Sequence, residues 1–327
     1  MQQVTRRLIL SAAAAAWLPP APVAHPQAFP RASRPIQVVV PYAPGGSSDF
    51  LARLVAKKLG ENLNHNVVVE NKPGASTIIG ADYVAKSKPD GYTIYLIGEL
   101  THSSLAPTNA KLPFDPLKDF APITNLVESP LVISVPPAFP ASSLKEFVNH
   151  AKANPGAVNY GSAGLGNTLH LAAEQFAKTA GVQMNHVQYK GASAAIIDLL
   201  AGRIDVMFDL PQTPLPHIEA GKLKALAVTS KNRLPMLPQV PTTSEAGFPN
   251  YQFTTRIGMS APAGTPEPVM KKLHAELLKV MQDPQVKRSL EEKAMLVFTN
   301  ASPQEYQKQF ADSAAMTKDL LAGVKRQ

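Results

Sequence analysis

The sequence predicts an α/β fold in two lobes with a ligand cleft between them. Three observations point there. Short apolar runs alternate with helical patterns. Proline-rich stretches at 136–140 and 235–249 bracket a central block of domain size. Two similar glycine-rich turns, at 41–50 and 160–170, fall on either side of the first proline break. Length agrees, since 327 residues suits about two domains of roughly 150 residues each.

In chain order, Met1 to Ala24 carries Arg6 and Arg7, no acidic residue, and then an apolar run at 8–18. That run is shorter than the roughly 20 residues a bilayer requires, so it reads as an export signal. Thr5-Arg6-Arg7-Leu8 resembles a twin-arginine signal, and ordinary secretory signals also contain paired arginines. Proline-rich sequence then extends the leader to residue 34 as a tether. Strands are expected at 36–40, 67–69, 92–97, 131–135, 206–208 and 225–228, in parallel sheets. Covering helices are expected at 50–63, 144–153, 169–180 and 192–200, where apolar residues recur at three-and-four spacing. The last third is more helical, with amphipathic patterns at 269–281, 286–293 and 303–321 and prolines marking their starts. The chain is therefore expected to cross between lobes twice. Residues 35–135 with 254–327 form lobe 1, and residues 136–253 form lobe 2. A ligand at the strand ends in between gives the geometry of a solute receptor.

Composition narrows the chemistry. Cysteine is absent, which excludes disulfides, thiol catalysis and cysteine metal sites. Losing Met1 to Ala24 takes two arginines and lowers the formal charge from +8 to about +6. The remaining lysines and arginines are scattered, without the basic runs and interleaved aromatics of a nucleic-acid surface. A mild positive field helps attract an anionic solute.

Each glycine-rich turn follows an apolar run and opens a helix. A helix start offers unpaired N–H groups and a partial positive charge, and glycine lets an anion approach the main chain. Asn167 and Thr168 sit where a helix cap or a ligand contact would both place them. Asp49 reads as a structural cap. Asp209, at a strand's C-terminal edge, suits either a ligand amine or hydroxyl, or a hinge. His102 and His170 are the histidines nearest the proposed cleft; His102 is a candidate ligand contact, and neither has partners at metal spacing. Lys190 is a candidate electrostatic contact, and Thr101, Ser103 and Ser104 are candidate polar contacts.

Enzymatic readings fare poorly. Ser162 with His170 lacks the first glycine of a G-x-S-x-G elbow, and Gly164-Leu165-Gly166 has Leu169 where a dinucleotide fingerprint needs glycine. No Walker lysine motif occurs, so neither cofactor nor metal is expected.

These segments together resemble the Bug-type (TctC-like) receptors of tripartite tricarboxylate transporters. The likeness runs from Pro35 to about Lys325 and rests on VVPYAPGGSSDFLAR, VVVENKPGAS, LPFDPLKDFAPIT, YGSAGLGNTLHLAAEQF, YKGASAAIIDLLAGRIDVMFD, LKALAVTS, LPQVPTTSEAGFP and APAGTPEPV, in that order. It implies a two-lobe, type II-like periplasmic binding protein. Such a receptor acts as a monomer, performs no catalysis, and closes over a small carboxylate for delivery to a membrane permease. It implies ligand contacts at Tyr42, Ala43 and Pro44 on one side and at Ser162, Ala163, Asn167 and Thr168 on the other. A sensory subunit of the same fold is the alternative. One departure concerns the ligand: where many relatives carry Trp followed by an aromatic, this chain has Arg256-Ile257. Pointing inward, Arg256 would pair with a second carboxylate and favour a diacid.

Overall fold

The computed structural model describes residues 29–30, 34–109, 111–189 and 191–322. The export-signal reading, most of the tether and Lys190 lie outside the described residues. The first sheet begins with β1 (Ile36–Val40), α1 (Ser47–Leu63), β2 (Val67–Asn71), a 3₁₀ turn (Ala75–Thr77), α2 (Ile78–Ala85) and β3 (Thr93–Gly98). Short helices α3 (Glu99–Ser103) and α4 (Leu105–Thr108) follow, then β4 (Phe120–Pro130). The second sheet takes β5 (Val132–Val135), α5 (Leu144–Ala153), β6 (Val158–Ser162), α6 (Thr168–Ala180), β7 (Met184–Gln188), α7 (Ala192–Leu200), β8 (Val206–Asp209), α8 (Leu215–Glu219) and β9 (Lys224–Val228). The chain then returns to the first sheet through β10 (Thr254–Pro262), α9 (Glu267–Gln282), α10 (Pro284–Glu291), β11 (Leu296–Val297) and α11 (Pro303–Leu320).

The sheets order as β11-β4-β10-β3-β1-β2 and β7-β6-β8-β5-β9. Both are mixed, which corrects the expectation of parallel sheets. β1 is parallel to β2 and β3, and β6 is parallel to β7 and β8, but β10 runs antiparallel to β3 and β4, and β5 antiparallel to β8 and β9.

A second correction concerns the first crossing. The sequence places residues 132–135 in lobe 1, yet β5 pairs within the second sheet, so the chain changes sheets at Leu131. Pro136-Pro137 ends β5 within the second sheet and does not carry the chain across. The crossing is stitched by Thr229, whose hydroxyl accepts from Leu131 N (2.8 Å) and donates to the Phe253 carbonyl (2.5 Å).

Each sheet has its own core. The helical spacing of Leu51, Ala52, Val55, Ala56 and Leu59 lays α1 on the first sheet, where these residues are buried. In the second, Phe147, Phe176 and Phe208 are fully buried, and each such side chain stabilises the fold by about 1.5–3 kcal/mol. Leu100, in α3 just after β3, packs into this second core and ties the sheets together.

Candidate functional site

The glycine-rich turns lie at the C-terminal edges of the parallel strands. The pairing of Val39 with Tyr95 brings Tyr42 beside Gly98, so close that a Cβ at Gly98 would meet the Tyr42 hydroxyl at 3.1 Å. Burial raises the Tyr42 phenol above its ordinary pKa while a hydrogen bond to Thr101 lowers it, leaving a neutral hydroxyl at neutral pH. Ala43 and Pro44 are exposed.

Asp49 closes this turn from behind. Its Oδ2 accepts from Gly45 N and Arg53 Nε, both at 2.9 Å, and its Oδ1 from Asn71 Nδ2 at 2.9 Å. Asn71 Nδ2 also reaches the Tyr42 carbonyl at 3.0 Å. The Arg53 hydrogen bond is the main cause that holds the Asp49 carboxyl at about 2, against the opposing effect of burial.

Across from it, the second turn folds inward. Ser162 is fully buried; its hydroxyl accepts from Gly164 N at 3.1 Å and lies 2.6 Å from His186 Nε2. In this arrangement its hydroxyl is engaged inside the loop and is turned away from solvent. That removes the hydrolase pairing with His170, since Ser162 meets His186 and is not exposed. Asn167 caps α6, its Oδ1 accepting from Leu169 N at 3.0 Å. Ala163 stays half-buried at the rim. His170 Nδ1 accepts from Gly166 N at 3.0 Å. Burial holds His170 neutral down to about 3, helped by the neighbouring His186, and burial holds His186 neutral down to about 4.

Between the turns, three threonines converge. The Thr168 hydroxyl lies 3.3 Å from that of Thr101 and 3.4 Å from that of Thr255, joining α6 to α3 and β10. Ser104 Oγ donates to the Gly166 carbonyl at 2.7 Å. A Cβ at Gly166 would stand 2.7 Å from Ser104 Oγ and 2.8 Å from Thr108, so only glycine lets the two lobes meet this closely.

Asp209 reaches the same edge. Since Gly161 pairs with Met207, Asp209 lies level with Ala163. Its Oδ1 accepts from Leu210 N at 2.7 Å, and its buried Oδ2 makes no close hydrogen bond. Burial pushes this carboxyl up to about 7, against the pull of Leu210 N–H and the Thr213 hydroxyl. It is therefore poised between accepting and donating near neutral pH.

Two further assignments are corrected. His102 belongs to an aromatic core, stacked on Phe114 and edge-on to Phe120, with Nε2 at 3.1 Å from the Pro116 carbonyl. Arg256 alternates with Thr255 along β10 and so points away from the threonines. Its guanidinium lies over Phe298 (4.8 Å), 3.6 Å from Glu128 and 4.0 Å from Glu99. The Gln309 amide, turned with its oxygen towards Arg256, accepts from Nη1 and Nε at 2.6 and 3.0 Å. Two carboxylates and an amide thus already surround this cation, and it does not serve as a diacid clamp in this arrangement.

Two features went unnoticed in the sequence. Thr255 carries no sequence signal beside the charged Arg256. At Ala75, Ser76 and Thr77, three successive non-glycine residues have φ of 45°, 51° and 80°. Such left-handed backbone costs about 1–2 kcal/mol per residue and clusters at functional sites. The turn lies near Tyr42, since a Cβ at Gly80 would meet Pro41 at 3.0 Å. The only sequence signal for it was the motif ending Pro73-Gly74-Ala75-Ser76.

Residues 51–325 match the family model described as tripartite tricarboxylate transporter family receptor. The chain belongs to this receptor family. A UPF0065 protein from the tcbD-tcbE intergenic region of Pseudomonas sp. strain P51 is 40% identical over 268 residues, 81% of this chain and 78% of the relative. An R. palustris protein solved with adipate superposes with a TM-score of 0.81 at 31% identity, covering 92% of this chain and all of that one. MatC from Rhodopseudomonas palustris, solved with bound malate, gives 0.78 at 30% identity, covering 90% of this chain and all of that one. The family receptors are solute-binding proteins with this two-sheet α/β architecture. Among the described residues, no group of three metal-binding side chains occurs, and no helix is long and apolar enough to cross a membrane.

Proposed function

We propose that this chain is an extracytoplasmic receptor that captures a small dicarboxylate by lobe closure and delivers it to a tripartite membrane permease, without catalysing a reaction on it. Residues 1–24 would direct its export, and it would work as a monomer with lobes of residues 34–131 plus 254–322 and residues 132–253. The convergence of Thr101, Thr168 and Thr255 at the start of α6 carries the reading. Hydroxyls and a helix N-terminus from both sides of a closing cleft suit a carboxylate. Each charged hydrogen bond of this kind contributes about 1.5–3 kcal/mol, so several hold an anion without arginine. The malate and adipate carried by its structural neighbours support the ligand class.

In this reading, Tyr42, Ala43, Pro44, Ala163, Asn167 and the threonines meet the carboxylates. The unpartnered Oδ2 of Asp209 meets a hydroxyl or ammonium on the ligand. Titration calorimetry of the mature protein with malate, adipate, citrate and aspartate tests this. Binding of a dicarboxylate that weakens about tenfold in Thr168→Val, the effect of one lost hydrogen bond, is expected. Absence of binding to all four sinks the reading.

A further inference from the structure

The second cradle is held from behind by three stacked rings. Tyr160, on β6, lies 5.0 Å from His186 on β7, and His186 lies 4.1 Å from His170 on α6, with the planes tilted by 17° and 18°. The two imidazoles grip two points of one loop. Gly166 N–H can only donate, so His170 Nδ1, at 3.0 Å, has to be the unprotonated acceptor. His186 Nε2 meets Ser162 Oγ, which in turn receives Gly164 N–H. The carbonyl of the same residue, Gly166, accepts from Ser104 of the opposite lobe. One residue is thus fixed at its N–H by an imidazole and at its carbonyl by the closing lobe.

We propose that His170 and His186 are positioning residues for the anion cradle: their neutral imidazoles orient Gly166 and Ser162, so that the loop meets both the carboxylate and Ser104. The proposal rests on the receptor reading for its ligand, while the grip on Gly166 stands apart from it. Protonation of His170 sets N–H against N–H and places a cation against His186. The titratable groups facing the pair are each other, Glu174 of α6, 3.8 Å from His170 Nε2, and Tyr160, whose hydroxyl donates to Glu174. Glu174 faces the opposite edge of the ring and cannot restore the Gly166 acceptor. Acid therefore loosens the loop through this pair.

Two substitutions separate the grip from the packing. His170→Asn keeps an acceptor oxygen near the Nδ1 position, and His170→Phe keeps a ring without an acceptor. The ¹⁵N–¹H resonance and hydrogen exchange of Gly166 are followed in the unliganded protein, and malate affinity is measured beside them. In His170→Phe, Gly166 exchange should rise and malate affinity fall, each about tenfold, as the loss of one hydrogen bond implies. His170→Asn should keep both near wild type and lose the change in the Gly166 resonance that acidification produces in the wild type. An unchanged Gly166 amide in His170→Phe, or equal damage in both variants, overturns the proposal. Should wild type bind neither malate nor adipate, the receptor reading falls, and the Gly166 amide alone decides this one.

Discussion

The two glycine-rich turns have the same form and opposite supports. The turn at Tyr42–Gly46 is braced by charge, with Asp49 holding Gly45 and Asn71 while Arg53 neutralises it. The loop at Ser162–Thr168 is braced by neutral rings, His170 and His186. The first brace stands partly in water, its arginine side chain 54% exposed; the second is sealed beneath the loop. A charged brace tolerates solvent and fails only in strong acid. A neutral one needs burial, and it transmits movement because Gly166 also touches the other lobe.

Gly166→Val breaks this comparison hardest. Its φ of +70° and the 2.7 Å approach of Ser104 leave no room for Cβ. Closure should be blocked and dicarboxylate affinity lowered roughly a hundredfold, about 2.7 kcal/mol, with the difference read by calorimetry. Asp49→Asn comes next, with an expected loss of about 1 kcal/mol in chemical denaturation at pH 7, since solvent around the half-exposed Arg53 screens the pair. Its sign is fixed by linkage. The folded pKa, about 2, lies below the ordinary 3.8, so the contribution is present above about pH 3.8 and disappears as pH falls through about 2. His170 and His186 behave otherwise: their folded values of about 3 and about 4 lie below 6.5, so stability declines as pH falls from 6.5 towards those values. Denaturation of His170→Asn between pH 7 and 3 should show a shallower decline than wild type. Thr255→Val should weaken carboxylate binding by about 1 kcal/mol and leave stability nearly unchanged. Gly45→Ala has the smallest effect: nothing lies within 4 Å of the new methyl, and only φ of +86° opposes it, so about 1 kcal/mol of stability is lost and closure persists.

Much of this architecture was legible in the sequence, and the gaps have particular causes. Helices α5 and α7 match the ranges read from apolar spacing, because an amphipathic face announces itself locally. β4 went unread, since Pro122 and Pro130 interrupt it and proline speaks against a strand. β7 carries polar residues at a sheet edge and offers no apolar run. For the site, the turns were visible but the directions of side chains were not. Whether Thr255 or Arg256 faces the cleft depends on the phase of β10, and a shift by one residue exchanges the faces. His102 looked like a cleft residue until folding brought Phe114, Phe120 and Phe310 around it. Ser162 found its partner 24 positions away, in a strand that had not been read.

Leu100 has a kinetic consequence. This first-lobe residue is 5% exposed within the core of the second, so part of the free energy of shutting is apolar and present without any solute, up to about 1.5–3 kcal/mol. A shut, unladen molecule must open before a solute can enter. Stopped-flow association rates should then level off at high solute concentration, at the opening rate, and replacing Leu100 by Ala should raise that ceiling.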